Sequence, residues 1–230
     1  MSELLPLFLN LTGRAVLLVG GGRVATAKLQ QLLAAGARVR VVAPEISDEI
    51  LAVGARDETP VVQTARRGFT PADVDGAWLV VAAATPEVNR QVAEVAETQR
   101  VFVNAVDDPA NASAFLSGVV RRDGVTVAIS TSGDAPALTA LLRDGIDALL
   151  PRDLASWVWQ ARAERVAWRR DGVPMEERKP RLLRALNAIY TETAERAERS
   201  DNEPFAVPPR SAADPGPRVP WLNGPEDSWL

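Results

Sequence analysis

The chain has 230 residues, 47% of them hydrophobic and 24% charged, with a net charge of −4. That is enough apolar material for one globular domain or two small ones, and the acidic balance argues against nucleic acid as a partner. The absence of any cysteine or histidine excludes disulfides, thiolate metal sites, Ser-His-Asp catalysis and histidine proton shuttling. Acid–base work falls to Asp, Glu, Lys, Tyr or water.

Residues 1–11 are apolar but short, contain Pro6, and carry Glu3 where a signal peptide would be basic. They read as a mature N-terminus and not as a leader. No apolar run approaches the roughly 20 residues of a membrane span, so the expectation is a cytoplasmic protein with no membrane partner. Residues 14–20 form a β-rich apolar run closed by glycines and predict a buried parallel strand. A helix is expected over 24–35, stopped by Gly36, then a strand over 38–43 stopped by Pro44. Further strands are expected over 61–64, 77–84 and 101–106, with a helix over 86–98 whose Pro86 suits a first turn. This alternation predicts a doubly wound α/β domain of Rossmann type over residues 1–112.

From 113 to 149 the pattern changes. Residues 114–120 and 125–130 read as two strands around Arg121-Arg122-Asp123-Gly124, a hairpin signal, and a helix is expected over 136–150. Residues 150–199 are helical in pattern: Leu154, Trp157, Val158 and Ala161 share one face, as do Leu182, Leu186, Ile189 and Tyr190. Residues 200–230 are rich in Pro, Asp and Gly and read as an irregular or disordered tail, with Trp221 and Trp229 as its apolar anchors.

Three segments carry candidate chemistry. Gly20-Gly21-Gly22-Arg23-Val24-Ala25 follows a strand and opens a helix, which is the G-x-G-x-x-A fingerprint in its required context. Gly20 serves the tight turn, Gly22 the close approach of a pyrophosphate, and Ala25 the packing of helix on strand. The helix N-terminus supplies N–H donors to the phosphates. The usual acidic residue at the end of the second strand is missing: the strand closes Val42-Ala43-Pro44, with Glu45 beyond the proline. The residues alone therefore leave NAD and NADP both open.

Asn104-Ala105-Val106-Asp107-Asp108-Pro109 lies at a strand's carboxyl end, where α/β sheets bind ligands. Asp107 is a natural base there, and a plain Asp-Pro turn is the alternative. Ser130-Thr131-Ser132-Gly133-Asp134-Ala135-Pro136 leads from a strand into a helix. It reads either as an anion-holding loop or as simple capping by Asp134 or a neighbour; spacing does not choose.

Taken together, these segments resemble the precorrin-2 dehydrogenase and sirohydrochlorin ferrochelatase family, the N-terminal module of siroheme synthase. The resemblance runs over about residues 4–155. It rests on Leu5-Pro6-Leu7-Phe8, on Val19 through Ala25 with Lys28, on Val41-Val42-Ala43-Pro44 and on Asn104-Ala105-Val106-Asp107. It continues through Ala128-Ile129-Ser130-Thr131 to Pro136 and Ala140-Leu141-Leu142-Arg143. It implies NAD-dependent oxidation of precorrin-2 to sirohydrochlorin. It also implies a homodimer built through residues 113–149 and, in some members, insertion of ferrous iron.

The implied catalytic carboxylate is Asp107. The implied cofactor contacts are Gly22, Arg23, Val24, Ala43 and Pro44, with Gly20, Gly21, Thr85 and Asn104 completing the candidate set. The substrate bears eight carboxylates, so arginines must line its cleft. Arg121 and Arg143 are candidates beside the hydroxyls of Ser130, Thr131 and Ser132, with Arg122, Arg162 and Arg165 behind them. No protein metal site is expected. The chain departs from the family pattern by one extra residue between Asp107 and Phe115, by Ala135 before Pro136, and by Ser132 in place of a glycine. The expectation is a stand-alone dehydrogenase with no methyltransferase domain following. The competing function is a regulator that senses NAD without turning anything over. Such a regulator has no need of the Asn104–Asp107 segment or of the hairpin and helix.

Overall fold

The computed structural model describes residues 4–54, 61–116 and 118–200. The chain divides into two compact units, Met1–Val158 and Trp159–Leu230. The first holds a five-stranded parallel sheet in the order β3-β2-β1-β4-β5. Its strands are β1 (Ala15–Val19), β2 (Arg38–Ala43), β3 (Val62–Arg66), β4 (Leu79–Ala82) and β5 (Phe102–Ala105). Helices α1 (Arg23–Ala34), α2 (Asp48–Gly54) and α3 (Pro86–Thr98) connect them, with a 3₁₀ turn over Pro71–Val74.

The central strands β1 and β4 read as unbroken apolar runs because both faces are covered. On β1, Val16 and Leu18 join α1's Ala25, Leu29 and Leu32 and α2's Ile50 on one face. Leu17 and Val19 join α3's Val92 and Ala96 on the other. This is the expected Rossmann-type doubly wound sheet, and the expected bounds of β2 and α3 coincide with the observed ones. Gly36, with φ +79°, ends α1: its N–H and that of Ala37 bond back to the Leu33 and Leu32 carbonyls, as a left-handed glycine cap does.

Two elements differ from expectation. Helix α2 has seven residues and one buried side chain, Ile50, too little for a periodic signal. Residues 114–116, expected to begin a strand, do not; Ser113 and Ala114 lie instead against the open edge of β5. The Val103 N–H donates to Ser113 Oγ at 2.9 Å, and the Val103 carbonyl accepts from the N–H groups of Ser113 and Ala114, both at 2.9 Å. An edge strand's orphan polar groups are thereby satisfied without a sixth strand.

Strands β6 (Gly118–Arg122) and β7 (Val125–Ile129) pair antiparallel with Arg122 opposite Val125. Asp123 and Gly124 alone turn the chain, with φ +50° and +83°, the conformation that two-residue hairpin loops demand. Helix α4 (Pro136–Leu149) follows. The Arg122 guanidinium holds the end of this helix to the hairpin. It donates to the carbonyls of Asp147 at 2.9 Å and Leu150 at 3.2 Å, and to Asp147 Oδ1 at 2.6 Å.

Helix α5 (Leu154–Arg170) bridges the two units in sequence, and α6 (Met175–Ser200) belongs to the second. Within the second unit Trp168, Val173 and Leu186 are buried, and Arg178 Nε donates to the Val173 carbonyl at 3.0 Å. Of the expected α6 face, Leu186 is buried, Leu182 and Ile189 are half-buried, and Tyr190 is exposed. The tail residues 201–230, with Trp221 and Trp229, lie outside the described residues. No helix among the described residues is long and apolar enough to cross a membrane.

Candidate functional site

The carboxyl ends of β1, β2, β4 and β5 share one edge of the sheet. β1 lies between β2 and β4, so the chain's winding reverses beside it, and ligands of such sheets bind at that point. The three glycines after β1 hold their places for different reasons. Gly20 has φ +127°, and a Cβ there would run into the carbonyl of Ala83. At Gly21 a Cβ would strike the carbonyl of Glu45. These two positions are fixed by the fold: the glycine loop is wedged between the end of β4 and the chain leaving β2. The second contact is fastened by the Ser47 N–H donating to the Gly21 carbonyl at 2.9 Å and by Thr26 Oγ1 to Ser47 Oγ at 3.1 Å.

Gly22 is unlike them. Its φ is −88°, open to any residue, and a Cβ there would meet nothing within 4 Å. Among the described residues nothing requires glycine at 22, and the space beside it is open to a ligand. Gly22 is also the N-cap of α1 and gives the helix no side-chain cap. The first intrahelical bond is Thr26 N–H to the Gly22 carbonyl at 3.0 Å. The amides of the first turn before it are the free donors of a helix N-terminus, aimed where an anion would sit. Arg23 and Val24 are exposed at this mouth, and Ala25 is fully buried against the sheet.

Ala43, 5% exposed, ends β2, and Pro44 stands exposed beyond it. No carboxylate closes the strand, so this wall of the cleft is backbone and pyrrolidine. Thr85 is the exposed N-cap of α3, and its carbonyl accepts the Asn89 N–H at 2.9 Å. On β5, Asn104 is 6% exposed. Its Nδ2 donates to the Ala114 carbonyl at 3.0 Å, while its buried Oδ1 has no hydrogen-bond partner. The open approach at Gly22, the uncapped α1 and this orphaned acceptor fit a dinucleotide with pyrophosphate at the first two and the amide-bearing ring toward the third.

Asp107 follows β5 by two residues. It is exposed, in a turn, with φ +55°, so the strand's extended backbone does not continue through it. Asp108 is half-buried and its Oδ2 accepts from Asn111 Nδ2 at 2.8 Å. The two neighbours therefore differ: Asp108 fastens its own turn, and Asp107 makes no hydrogen bond among the described residues.

The loop at 130–135 is largely self-engaged. Ser130 Oγ accepts from the Ser132 N–H at 3.1 Å, and Thr131 Oγ1 accepts from the Ala135 N–H at 3.2 Å and meets Thr139 Oγ1 at 2.9 Å. Ser132 is exposed with φ +56°. A Cβ on Gly133 would stand 3.0 Å from Pro109 Cγ, so this loop packs on the turn that carries Asp108. Among the arginines, Arg121 is exposed on β6, Arg143 is paired with its neighbour Asp144 at 2.8 Å, and Arg122 is committed to α4. Among the described residues no group of three His, Cys, Asp or Glu side chains is placed to hold a metal ion.

Sequence reasoning assigned no role to Asp73, whose Thr70-Pro71-Ala72-Asp73 run was a legible capping-box signal, and it placed Lys28, half-buried on the second turn of α1, only with the nucleotide loop.

A glycine loop wedged at the winding reversal, with one glycine free for a ligand, defines a Rossmann-type dinucleotide-binding domain. The comparisons agree. Residues 7–118 match the family described as putative NAD(P)-binding, and residues 122–149 match the sirohaem biosynthesis protein central family. Siroheme synthase 1 of Aeromonas hydrophila is 42% identical over 153 residues, 66% of this chain and 32% of that protein. Siroheme synthase 2 of Aeromonas salmonicida is 46% identical over 153 residues, 66% of this chain and 31% of that protein. The chain thus spans about a third of the length of these relatives. The solved structure of SirC, precorrin-2 dehydrogenase, superposes with a TM-score of 0.60 at 24% identity, over 79% of this chain and 88% of that one, and shows the same fold. Over residues 7–149 the chain belongs to the siroheme-synthase family, and its cofactor is of the NAD(P) class.

Proposed function

We propose that the protein is a precorrin-2 dehydrogenase that uses NAD to make sirohydrochlorin in siroheme biosynthesis. The observation that carries the reading is Gly22: an unstrained glycine with open space at its Cβ, at an uncapped helix N-terminus, in a chain whose relatives are siroheme synthases. Bound NAD would supply the hydride acceptor. The protein's own residues do the rest. The α1 amides, with Arg23 and Val24 at the mouth, hold the pyrophosphate; Ala43 and Pro44 line the adenosine side; Thr85 and Asn104 border the nicotinamide side. The substrate gives up a hydride and a proton, and Asp107 takes the proton. Its free carboxylate lies at the strand edge where the reacting ring must lie, and no histidine competes for the task.

We place the substrate's carboxylates near Arg121, Arg143 and the Ser130–Ser132 hydroxyls. We also propose a homodimer through residues 113–149. Among the described residues β6 and β7 pair only with each other, a hairpin too small to stand alone. α4 leaves Leu138, Leu141, Leu142 and Leu149 exposed by 42–79%. The residues of 150–199 would then form a separate helical domain.

The test is NADH formation on anaerobic mixing of the protein with precorrin-2 and NAD. Gly22→Asp fills the open space with a negative charge at no cost to the backbone. The expected result is NADH from the unaltered protein, and loss of NAD binding in a variant that keeps its fold. Unchanged NAD affinity in folded Gly22→Asp sinks the cofactor assignment. NAD binding without NADH formation would make the chain a sensor and not an enzyme.

A further inference from the structure

A dinucleotide site of this type reads the adenosine ribose with an acidic side chain at the end of the second strand. The carboxylate accepts from the ribose hydroxyls, whereas an arginine nearby accommodates a 2′-phosphate. Here β2 ends in Ala43, a buried methyl, and the strand itself does neither. Just beyond it the chain carries an acid, Glu45. Pro44 has no N–H with which to continue the ladder, and the chain bends at residues 44 and 45.

Three observations fix where Glu45 stands. The bend brings its backbone against the glycine loop, since a Cβ on Gly21 would strike the Glu45 carbonyl. Two residues on, the Ser47 N–H donates to the Gly21 carbonyl at 2.9 Å, and Ser47 Oγ meets Thr26 Oγ1 of α1 at 3.1 Å. Between these anchors Ile46 is buried in the cluster that holds Leu29 and Ile50. The segment is thus pinned across the loop, with Ile46 in the core and Glu45 exposed. The Glu45 carboxylate makes no hydrogen bond or ion pair among the described residues. A competing charge lies further out. Arg66 ends β3 in register with Ala43 and is exposed and unbonded among the described residues, whereas Arg67 beside it is spent on Asp73. Yet β2 stands between β3 and β1. Arg66 therefore starts roughly 10 Å, or two strand spacings, from the strand that carries the glycine loop. Glu45 touches that loop.

We propose that Glu45 is the specificity-determining residue of the dinucleotide site. Its carboxylate takes the place of the acid missing from the end of β2, accepts from the adenosine ribose hydroxyls and repels a 2′-phosphate. The site thereby selects NAD over NADP. This rests on the reading of the glycine loop as the pyrophosphate site. One ionised group serves both halves of the choice: charge-assisted hydrogen bonds favour the right ribose, and like charge rejects the wrong one. The anchors at Gly21 and Ser47 hold the backbone that carries this group to the same loop that receives the pyrophosphate, so the two ends of one adenosine diphosphate are measured against one rigid stretch of chain.

The test is equilibrium binding of NAD and NADP to the full chain by calorimetry, which needs no turnover. The parent should bind NAD roughly tenfold or more tightly than NADP, the scale of charge-assisted hydrogen bonds. Glu45→Gln removes the charge and keeps the size, and an exposed, unbonded side chain can be exchanged without loss of fold. It should weaken NAD binding roughly tenfold and tighten NADP binding, so that the preference disappears. Glu49→Gln removes another exposed acid, on α2, and should leave the ratio as in the parent. Competition by AMP and by adenosine 2′,5′-bisphosphate should repeat the pattern and so place the effect at the adenosine end. A Glu45→Gln variant that keeps the parent's ratio overturns the role of Glu45, and so does an equal shift in Glu49→Gln. A parent that binds both dinucleotides equally, and loses only NADP in Arg66→Ala, makes the guanidinium the reader instead. A parent that binds neither overturns the reading of the glycine loop, and this inference with it.

Discussion

The loop after β3 and the turn after β5 each carry two aspartates, and the protein treats one from each, Asp73 and Asp107, oppositely. Asp73 is 4% exposed. It accepts from Arg67 at 2.7 and 2.5 Å, from the Thr70 N–H at 2.9 Å and from Thr70 Oγ1 at 3.0 Å. Arg40 pairs with it at 3.0 Å. Asp107 is exposed, stands on left-handed backbone, and makes no hydrogen bond among the described residues. Asp73 has its lone pairs consumed by partners, while Asp107 keeps its own free among the described residues, as the proposed base would need.

The largest expected effect tests the free side of this contrast. Asp107→Asn should cut precorrin-2 turnover by roughly 10²-fold, the usual cost of losing a general base, with stability within about 0.5 kcal/mol of the parent. Full turnover in anaerobic assays of this variant would mean that the free carboxylate is not the base.

The next effect tests the consumed side. Asp73→Asn should cost about 2 kcal/mol in urea unfolding, the scale of charge-assisted hydrogen bonds, without changing NAD affinity. The Arg67 hydrogen bonds, above all, hold the Asp73 carboxyl well below the usual carboxylate range. A folded-state pKa depressed in this way adds stability that is complete above the unfolded value, near pH 4, and that drains as pH falls toward the folded one. Unfolding followed from pH 5 to pH 2 should show that loss in the parent and a flatter profile in Asp73→Asn. Equal profiles would mean that the network contributes nothing.

The smallest effect sharpens the comparison from its middle. Asp108 has one partner, Asn111. Asp108→Asn should leave turnover near the parent's and cost about 0.5–1 kcal/mol at most. A hundredfold loss of turnover there would transfer the base to Asp108.

The sequence showed the sheet well where punctuation was strong. Pro44 and Gly36 bound β2 and α1, Pro86 opened α3, and Asp123-Gly124 turned the hairpin, because each of these residues restricts or frees one backbone torsion locally. It failed where tertiary partners decide. Ala114, Phe115 and Leu116 look like the start of a strand, but β5's unpaired edge at Val103 captured the segment through Ser113. At the site, G-x-G-x-x-A pointed to the right turn, yet only packing separates Gly20 and Gly21, held by neighbouring carbonyls, from Gly22, held by none. Asn104-Ala105-Val106-Asp107 gave the strand end and not the left-handed turn. Lys28 was grouped with the nucleotide loop; that the carboxylate of Asp107, 79 positions further on, would oppose the lowering of its pKa by burial is a long-range influence with no local signature.

Residues 106–116 seal the sheet's flank and display its free acid with a single stretch of backbone. Ser113 is the clasp, through its Oγ and its N–H to Val103. A mutational screen for activity would therefore score Ser113 as if it belonged to the chemistry. An engineer who spliced extra length into this stretch to widen the cleft would unclasp β5 as well, and would expose a bare, adhesive strand to every other copy in the tube.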